Sequence, residues 1–295
     1  MMSERLEILK TFKLYINGKF TRTESGRYYI PEPNKKKLAN CCLASRKDFR
    51  NAVQAARKAQ DSWSARPAHN IGQILYRIAE NLEGRKQELA ELIVKEQGLT
   101  TSKAVKEVEE AIDSLIYYAG WSDKYQQLFS SVNPVASSHF NFSAVESMGV
   151  TAILCRDDVG FHSFVAAISA AICGGNTIVI LASENGPLSA MTFAEIIHHS
   201  DVPSGVINIL TGKEEELISH FASHMDVNSL LLIGEGFDIA NIEDLATENM
   251  KRLRHWDHSY LKSERLNSPY SIREFLEVKT TWHPIEQLGG ANSSY

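Results

Sequence analysis

From Val150 to Gly234 short apolar runs alternate with segments of helical periodicity, and few folds accommodate that rhythm. The runs are "VTAIL", "NTIVIL", "GVINILTG" and "SLLLIG"; between them lie "FVAAISAAICGG", "PLSAMTFAEIIHH" and "EEELISHFASH". A strand that is apolar at every position, not every second one, must be covered on both faces. Crossover helices supply that cover, so the segment predicts a parallel sheet in an α/β arrangement. "FVAAISAAICGG" is too short to span a bilayer and is expected as a buried helix.

The amino-terminal half has a different texture. "KLYING" and "KFTRT" read as short strands joined at Asn17-Gly18, a turn-forming pair. Ser45 is positioned to cap a helix in which Phe49, Ala52, Val53 and Ala56 recur at helical spacing. Two further helical patterns follow, the second stopped by Gly98. A longer one near 101–126 places Val108, Ile112, Leu115 and Ile116 on one stripe. Residues 132–150 alternate like a hairpin arm. Residues 251–270 are polar and read as a linker. Beyond them Leu276, Val278, Thr280 and Trp282 alternate with Glu277, Lys279, Thr281 and His283, as in a strand.

Bulk properties narrow the function classes. The net charge is −5 and no basic block stands out, which argues against nucleic acid as a partner. The start lacks the apolar core of a signal peptide, so a cytoplasmic protein that is not membrane-inserted is expected. Cys41, Cys42, Cys155 and Cys173 show no metal-ligand spacing and are expected as buried, reduced thiols. "HWDH", with His255 and His258, is the best support for a metal or small-ligand binder, but two histidines in a polar stretch are expected to be solvated. The glycosylation-like tripeptides at Asn141 and Asn292 are expected to be chance matches.

Over nearly its whole length the chain resembles the aldehyde dehydrogenase superfamily. "LYINGKF", the run from Arg50 through "ELIVKEQG", "AIDSLIYYAGWSDK", "GGNTIVILASENGPLSAMTFAEI" and "DVPSGVINILTG" carry the likeness in order and spacing. It is most similar to the truncated second module of aldehyde dehydrogenase family 16. The resemblance implies a Rossmann-type cofactor domain with a helical amino-terminal part (1–131 with 151–250), a small β oligomerisation arm (132–150), the linker and a terminal strand with its tail (271–295). It implies no separate catalytic domain.

Family enzymes oxidise aldehydes with NAD or NADP, through a cysteine thiolate, an oxyanion-holding asparagine and a water-activating glutamate. Carried over residue by residue, the resemblance implies that these parts are missing or altered. No cysteine follows Cys173, whereas the family nucleophile lies beyond the cofactor strands. Asp158 takes the asparagine position, and an ionised carboxylate repels an oxyanion. In "LASE", Leu181 replaces the lysine that grips the adenosine ribose, while Glu184 keeps the ribose-accepting glutamate. The family's Gly-Ser beside the pyrophosphate becomes Gly234-Glu235, with a carboxylate where phosphates meet backbone N–H groups. NAD binding is therefore conceivable only through a vestige, and no cofactor is expected.

The ending "EVKTTWHPIEQLGGANSSY" invites one more comparison. "EQLGG" resembles the family's catalytic glutamate motif but comes too late and carries Gln287 as an insertion, so Glu286 is read as a polar tail residue. "EVKTTW" instead resembles the family's terminal assembly strand. Phe140, Phe142, Leu276, Val278 and Trp282 are the expected oligomerisation residues, with Trp282 as the anchor. Two function classes stand. One is a non-catalytic module that assembles with itself or with an active aldehyde dehydrogenase module. The other is an NAD(P)-dependent aldehyde dehydrogenase completed by a catalytic domain from another chain or module.

Overall fold

The computed structural model describes residues 8–33 and 37–285. Five short strands open the chain: β1 (Thr11–Phe12), β2 (Leu14–Ile16), β3 (Lys19–Thr21), β4 (Tyr28–Tyr29) and β5 (Asn40–Cys42). Helices α1 (Arg46–Ser64), α2 (Ala68–Gly84), α3 (Lys86–Gln97), α4 (Thr101–Trp121) and α5 (Tyr125–Phe129) follow. The arm is β6 (Ser131–Asn133) and β7 (His139–Ser147). The repeating part runs β8 (Val150–Cys155), α6 (Phe161–Cys173), β9 (Thr177–Leu181), α7 (Pro187–His198), β10 (Ile207–Leu210), α8 (Glu214–Ser223), β11 (Ser229–Ile233), α9 (Ile239–Ala246) and β12 (Arg252–Trp256). Two short helices, α10 (His258–Leu261) and α11 (Pro269–Arg273), lead to β13 (Leu276–Pro284).

Seven strands form the main sheet in the order β12-β11-β8-β9-β10-β2-β3, parallel from β12 to β10 and antiparallel beyond. As the apolar runs require, both faces are covered. Ile153 and Leu231 point into a core shared with α2, α4 and α6, whereas Leu154 and Leu232 point into one built around Phe49 and Phe221. Each fully buried side chain of this size contributes about 1.5–3 kcal/mol. Gly18 adopts φ +69° in the β2–β3 turn, and a β-carbon there would meet the Ser204 hydroxyl at 2.4 Å, so the turn excludes larger residues on both counts.

Local signals act as expected at the helix ends. Ser45 and Asp48 cap α1 reciprocally, and Gly98 ends α3 in the left-handed conformation. On α4, Val108, Ile112 and Leu115 are buried, but Ile116 is 44% exposed, because the true stripe runs through Ala111 and Tyr118.

The reading of 251–270 as a linker is corrected. Residues 252–256 form β12, paired in parallel with β11 along its whole length, and Trp256 is fully buried. Its polar composition reflects an edge position, where Arg252 is exposed and Arg254 half-buried.

The arm and the terminal strand form one three-stranded sheet in the order β13-β7-β6, with β7 and β13 paired antiparallel from Leu276↔Ser147 to Pro284↔His139. Asn176 ties the sheet to the body: its amide donates to the Phe275 carbonyl at 3.0 Å and accepts from Gly149 N–H at 3.0 Å. The expected oligomerisation residues divide between two faces. Residues directly opposite in an antiparallel ladder share a face. Leu276, Val278 and Trp282 therefore lie with Val145 and Asn141, while Phe140 and Phe142 lie opposite His283 and Thr281 on the other side. Leu276 is buried; Val278, Trp282 and Phe140 are exposed.

Candidate functional site

The carboxyl ends of β8, β9 and β10 and the loops after them meet above the sheet, at the place where open parallel sheets bind ligands. A pocket of about 280 Å³ opens there, lined by Arg156, Asp157, Asp158, Glu184 and Glu214, with Cys155 and Leu181 at its base. Its lining therefore carries four carboxylates against one guanidinium.

Each charged group is engaged by the protein itself. Arg156 makes a two-point pair with Glu214 (2.8 and 2.6 Å) and donates to the Glu235 carbonyl at 2.7 Å, its guanidinium lying 4.1 Å from the centre of the Phe237 ring. Asp157 accepts from the Ser183 hydroxyl at 2.7 Å and from Asn185 N–H at 3.1 Å. Asp158 accepts from Glu235 N–H at 3.0 Å and faces His258 Nε2 at 2.7 Å. Glu235 accepts from His258 N–H at 2.9 Å, capping the short turn of α10.

The positions expected to hold a cofactor are accounted for differently. Leu181 is buried at the end of β9. Glu184 accepts from Glu214 N–H at 3.2 Å, so one of its oxygens caps α8; burial raises its carboxyl pKa above the ordinary range, and Asp157 adds to the rise. Gly234 has φ +109°, and a β-carbon on it would meet Asp158 Oδ1 at 2.4 Å. The structure thus brings Asp158, Gly234 and Glu235 together and sets Glu184 with Glu214 on the other side of Arg156. The Asp158–His258 contact was not expected from sequence; its only signal was the pattern "HWDH".

No thiol here is poised for attack. All four cysteines are buried, and burial pushes the Cys41, Cys42, Cys155 and Cys173 thiols up, away from the reactive thiolate. Cys173 donates to the Tyr118 carbonyl at 3.3 Å. A serine does meet a histidine: Ser114 Oγ lies 2.8 Å from His162 Nε2, with Glu110 3.7 Å from its other nitrogen. Ser114 is fully buried within α4, however, where no substrate reaches it. His255 lies against the Gly234 carbonyl at 2.7 Å, and no metal-ligating cluster occurs among the described residues. Glu286 lies outside them, as does Asn292; Asn141 is buried in the arm.

The segment after the Gly234–Glu235 turn is where the resemblance places the catalytic glutamate motif. It is β12, ending at Trp256, whose indole donates to Glu274 at 2.7 Å and whose carbonyl accepts from Gly234 N–H at 3.0 Å.

Comparison with known proteins places this geometry. Residues 20–255 match the model of the aldehyde dehydrogenase family. The cytosolic 10-formyltetrahydrofolate dehydrogenase of Xenopus tropicalis is 30% identical over 228 residues, covering 75% of this chain and 25% of the relative. Cytosolic aldehyde dehydrogenase 1 of Elephantulus edwardii is 29% identical over 248 residues, covering 82% of this chain and 49% of the relative. The structure is similar, with a TM-score of 0.78 and 25% identity, to the NAD+ complex of an aldehyde dehydrogenase from Bacillus cereus, over 84% of this chain and 51% of that one. The chain spans about a quarter to a half of the length of these relatives.

Proposed function

The chain belongs to the aldehyde dehydrogenase family, and on that premise we propose that it is a non-catalytic module whose retained role is assembly, with a second copy of itself or with an active aldehyde dehydrogenase module, in the cytoplasm. The observation that carries the reading is the short passage from β12 to β13. Residues 257–275 hold only α10 and α11, where the resemblance places a whole catalytic domain. The buried, proton-holding thiols point the same way.

On this reading NAD is not a cofactor of the chain. The support is electrostatic. A pyrophosphate entering the pocket would face Asp157, Asp158, Glu184 and Glu214, while the one guanidinium, Arg156, is already committed to Glu214 and to a carbonyl. Asp158 fills the space beside Gly234 and occupies the Glu235 N–H. Asp158 cannot hold an oxyanion and acts instead as a structural acceptor. The competing reading, a dehydrogenase completed by another chain or module, draws on the likeness to the Bacillus cereus NAD+ complex and requires that this pocket accept the dinucleotide.

Assembly is supported by the arm. Val132 and Phe140 are exposed on one face, with Val278 and Trp282 exposed on the other, and a small sheet of this kind gains stability from a partner. Light scattering on face-specific variants tests the reading. The parent should be at least dimeric alone or with an aldehyde dehydrogenase partner, and either Val132→Lys/Phe140→Lys or Val278→Lys/Trp282→Lys should dissociate it while leaving the circular dichroism unchanged. A parent that is monomeric both alone and with that partner removes the assembly role.

A further inference from the structure

A second pocket, of about 780 Å³, opens between β12, α11 and the root of the arm. Its charge is reversed. Arg252, Arg254, Arg265 and Arg273 line it, against Glu274 and Glu277. Of the four guanidinia only Arg252 has a carboxylate partner among the described residues, in a two-point contact with Glu277 at 2.7 and 3.1 Å. Arg254 donates to the neighbouring Leu253 carbonyl at 3.0 Å, and Arg273 lies 5.6 Å from the centre of the Phe129 ring. Arg265 makes no side-chain ion pair among the described residues. Glu277 is paired with Arg252, and Glu274 accepts from the neutral Trp256 indole and keeps its charge, so the other three guanidinia face a single carboxylate.

The remaining wall is apolar. Met148 and Leu276 with Val278 come from the arm sheet, and Tyr260 stacks on Trp256 at 4.7 Å between ring centres. A concave site of this volume, with an apolar wall and guanidinia that lack carboxylate partners among the described residues, has the composition of a small-molecule site. Guanidinium recognises planar or tetrahedral oxyanions through paired N–H donors. We infer that this pocket binds an organic anion, with a carboxylate or phosphate head held by Arg254, Arg265 and Arg273 and an apolar body laid against Met148, Leu276 and Val278. The inference needs neither a second copy nor a cofactor, although Leu276 and Val278 of its wall are shared with the residues expected for assembly.

Titration calorimetry on the full chain at low salt tests it, with octanoate and octyl phosphate as probes and octyltrimethylammonium, of equal tail and opposite charge, as control. At least one anion should bind saturably in a one-to-one ratio, the tighter of the two identifying the head group, and affinity should fall as salt rises. The Arg254→Gln/Arg265→Gln double variant should lose at least tenfold in affinity. If that variant does not fold, Arg265→Gln alone, at an exposed position, should lose at least threefold. Absence of saturable binding by both anions, equal binding of the cation, or unchanged affinity in the folded variants overturns the proposal.

Discussion

The molecule has two charged pockets, and they differ in sign. Above β8 and β9 four carboxylates surround one arginine, and every one of those charges has a partner from the protein. Beside β12 four arginines meet two carboxylates, of which Glu277 is paired with Arg252 and Glu274 accepts from the Trp256 indole. The first lies where a parallel sheet ordinarily receives an anionic cofactor; the second is built partly from residues 257–275, the short passage between β12 and β13. The contrast teaches that a sheet can be kept intact while the chemistry at its rim is inverted. Packing fixes the strands through buried apolar area, whereas rim charges need only satisfy one another.

Trp256 packs behind the basic pocket, stacked on Tyr260, and replacing it gives the largest expected effect. Its side chain is fully buried, its indole holds Glu274 and its carbonyl holds Gly234 N–H. Trp256→Ala should cost about 3–5 kcal/mol in chemical denaturation. A loss below about 1 kcal/mol would mean that β12 is not packed into the core at Trp256.

The next effect separates the pockets by pH. Beneath the acidic rim Glu96 is buried, accepting from Leu188 N–H at 2.5 Å and Ser189 N–H at 3.1 Å at the start of α7, and burial pushes its carboxyl up to about 7. Folding therefore favours the protonated form. That stabilisation is complete below the ordinary value of 4.5 and is lost as pH rises through 7. The change is on the order of a few kcal/mol. Glu96→Gln should flatten the pH dependence of unfolding across that window; an unchanged slope would locate it in other groups. Arginines do not titrate there, so octanoate binding in the basic pocket should stay level between about pH 6 and 8.

A smaller effect sharpens the packing of the acidic rim. Gly234→Ala should cost about 1–3 kcal/mol, from both its positive φ and the clash with Asp158. Part of that loss should return when Asp158→Ala is added, as measured by a double-mutant cycle. Strict additivity would show that only backbone strain is at work.

Much of the body was legible from the residues. "NTIVIL" and "SLLLIG" announce strands buried on both faces, and Ser45 and Gly98 announce helix ends by chemistry that acts within a few residues. The arm's pairing with the terminal strand is what the family resemblance implies, and the alternation in the two segments fits it. Strand β12 was not. "RLRHW" reads as polar because an edge strand needs apolar cover on only part of its surface, and Trp256 alone carries its burial. The acidic residues Asp158, Glu184 and Glu235 could be singled out in sequence, but not their bonding. Asp158 meets the Glu235 N–H across 77 positions of chain, and Glu184 meets the Glu214 N–H across 30, contacts that exist only once the strand ends are side by side. The split of Phe140 and Phe142 from Trp282 is a matter of ladder register, which spacing within each strand does not reveal.

The most direct test of the account is aldehyde-dependent reduction of NAD or NADP by the purified full chain, followed at the absorbance of the reduced nicotinamide over a range of short and long aldehydes. With its thiols buried and protonated and its pocket lined by carboxylates, the chain should give no rate above buffer with either cofactor. A steady turnover that survives purification and disappears on Cys155→Ala or Cys173→Ala would contradict it.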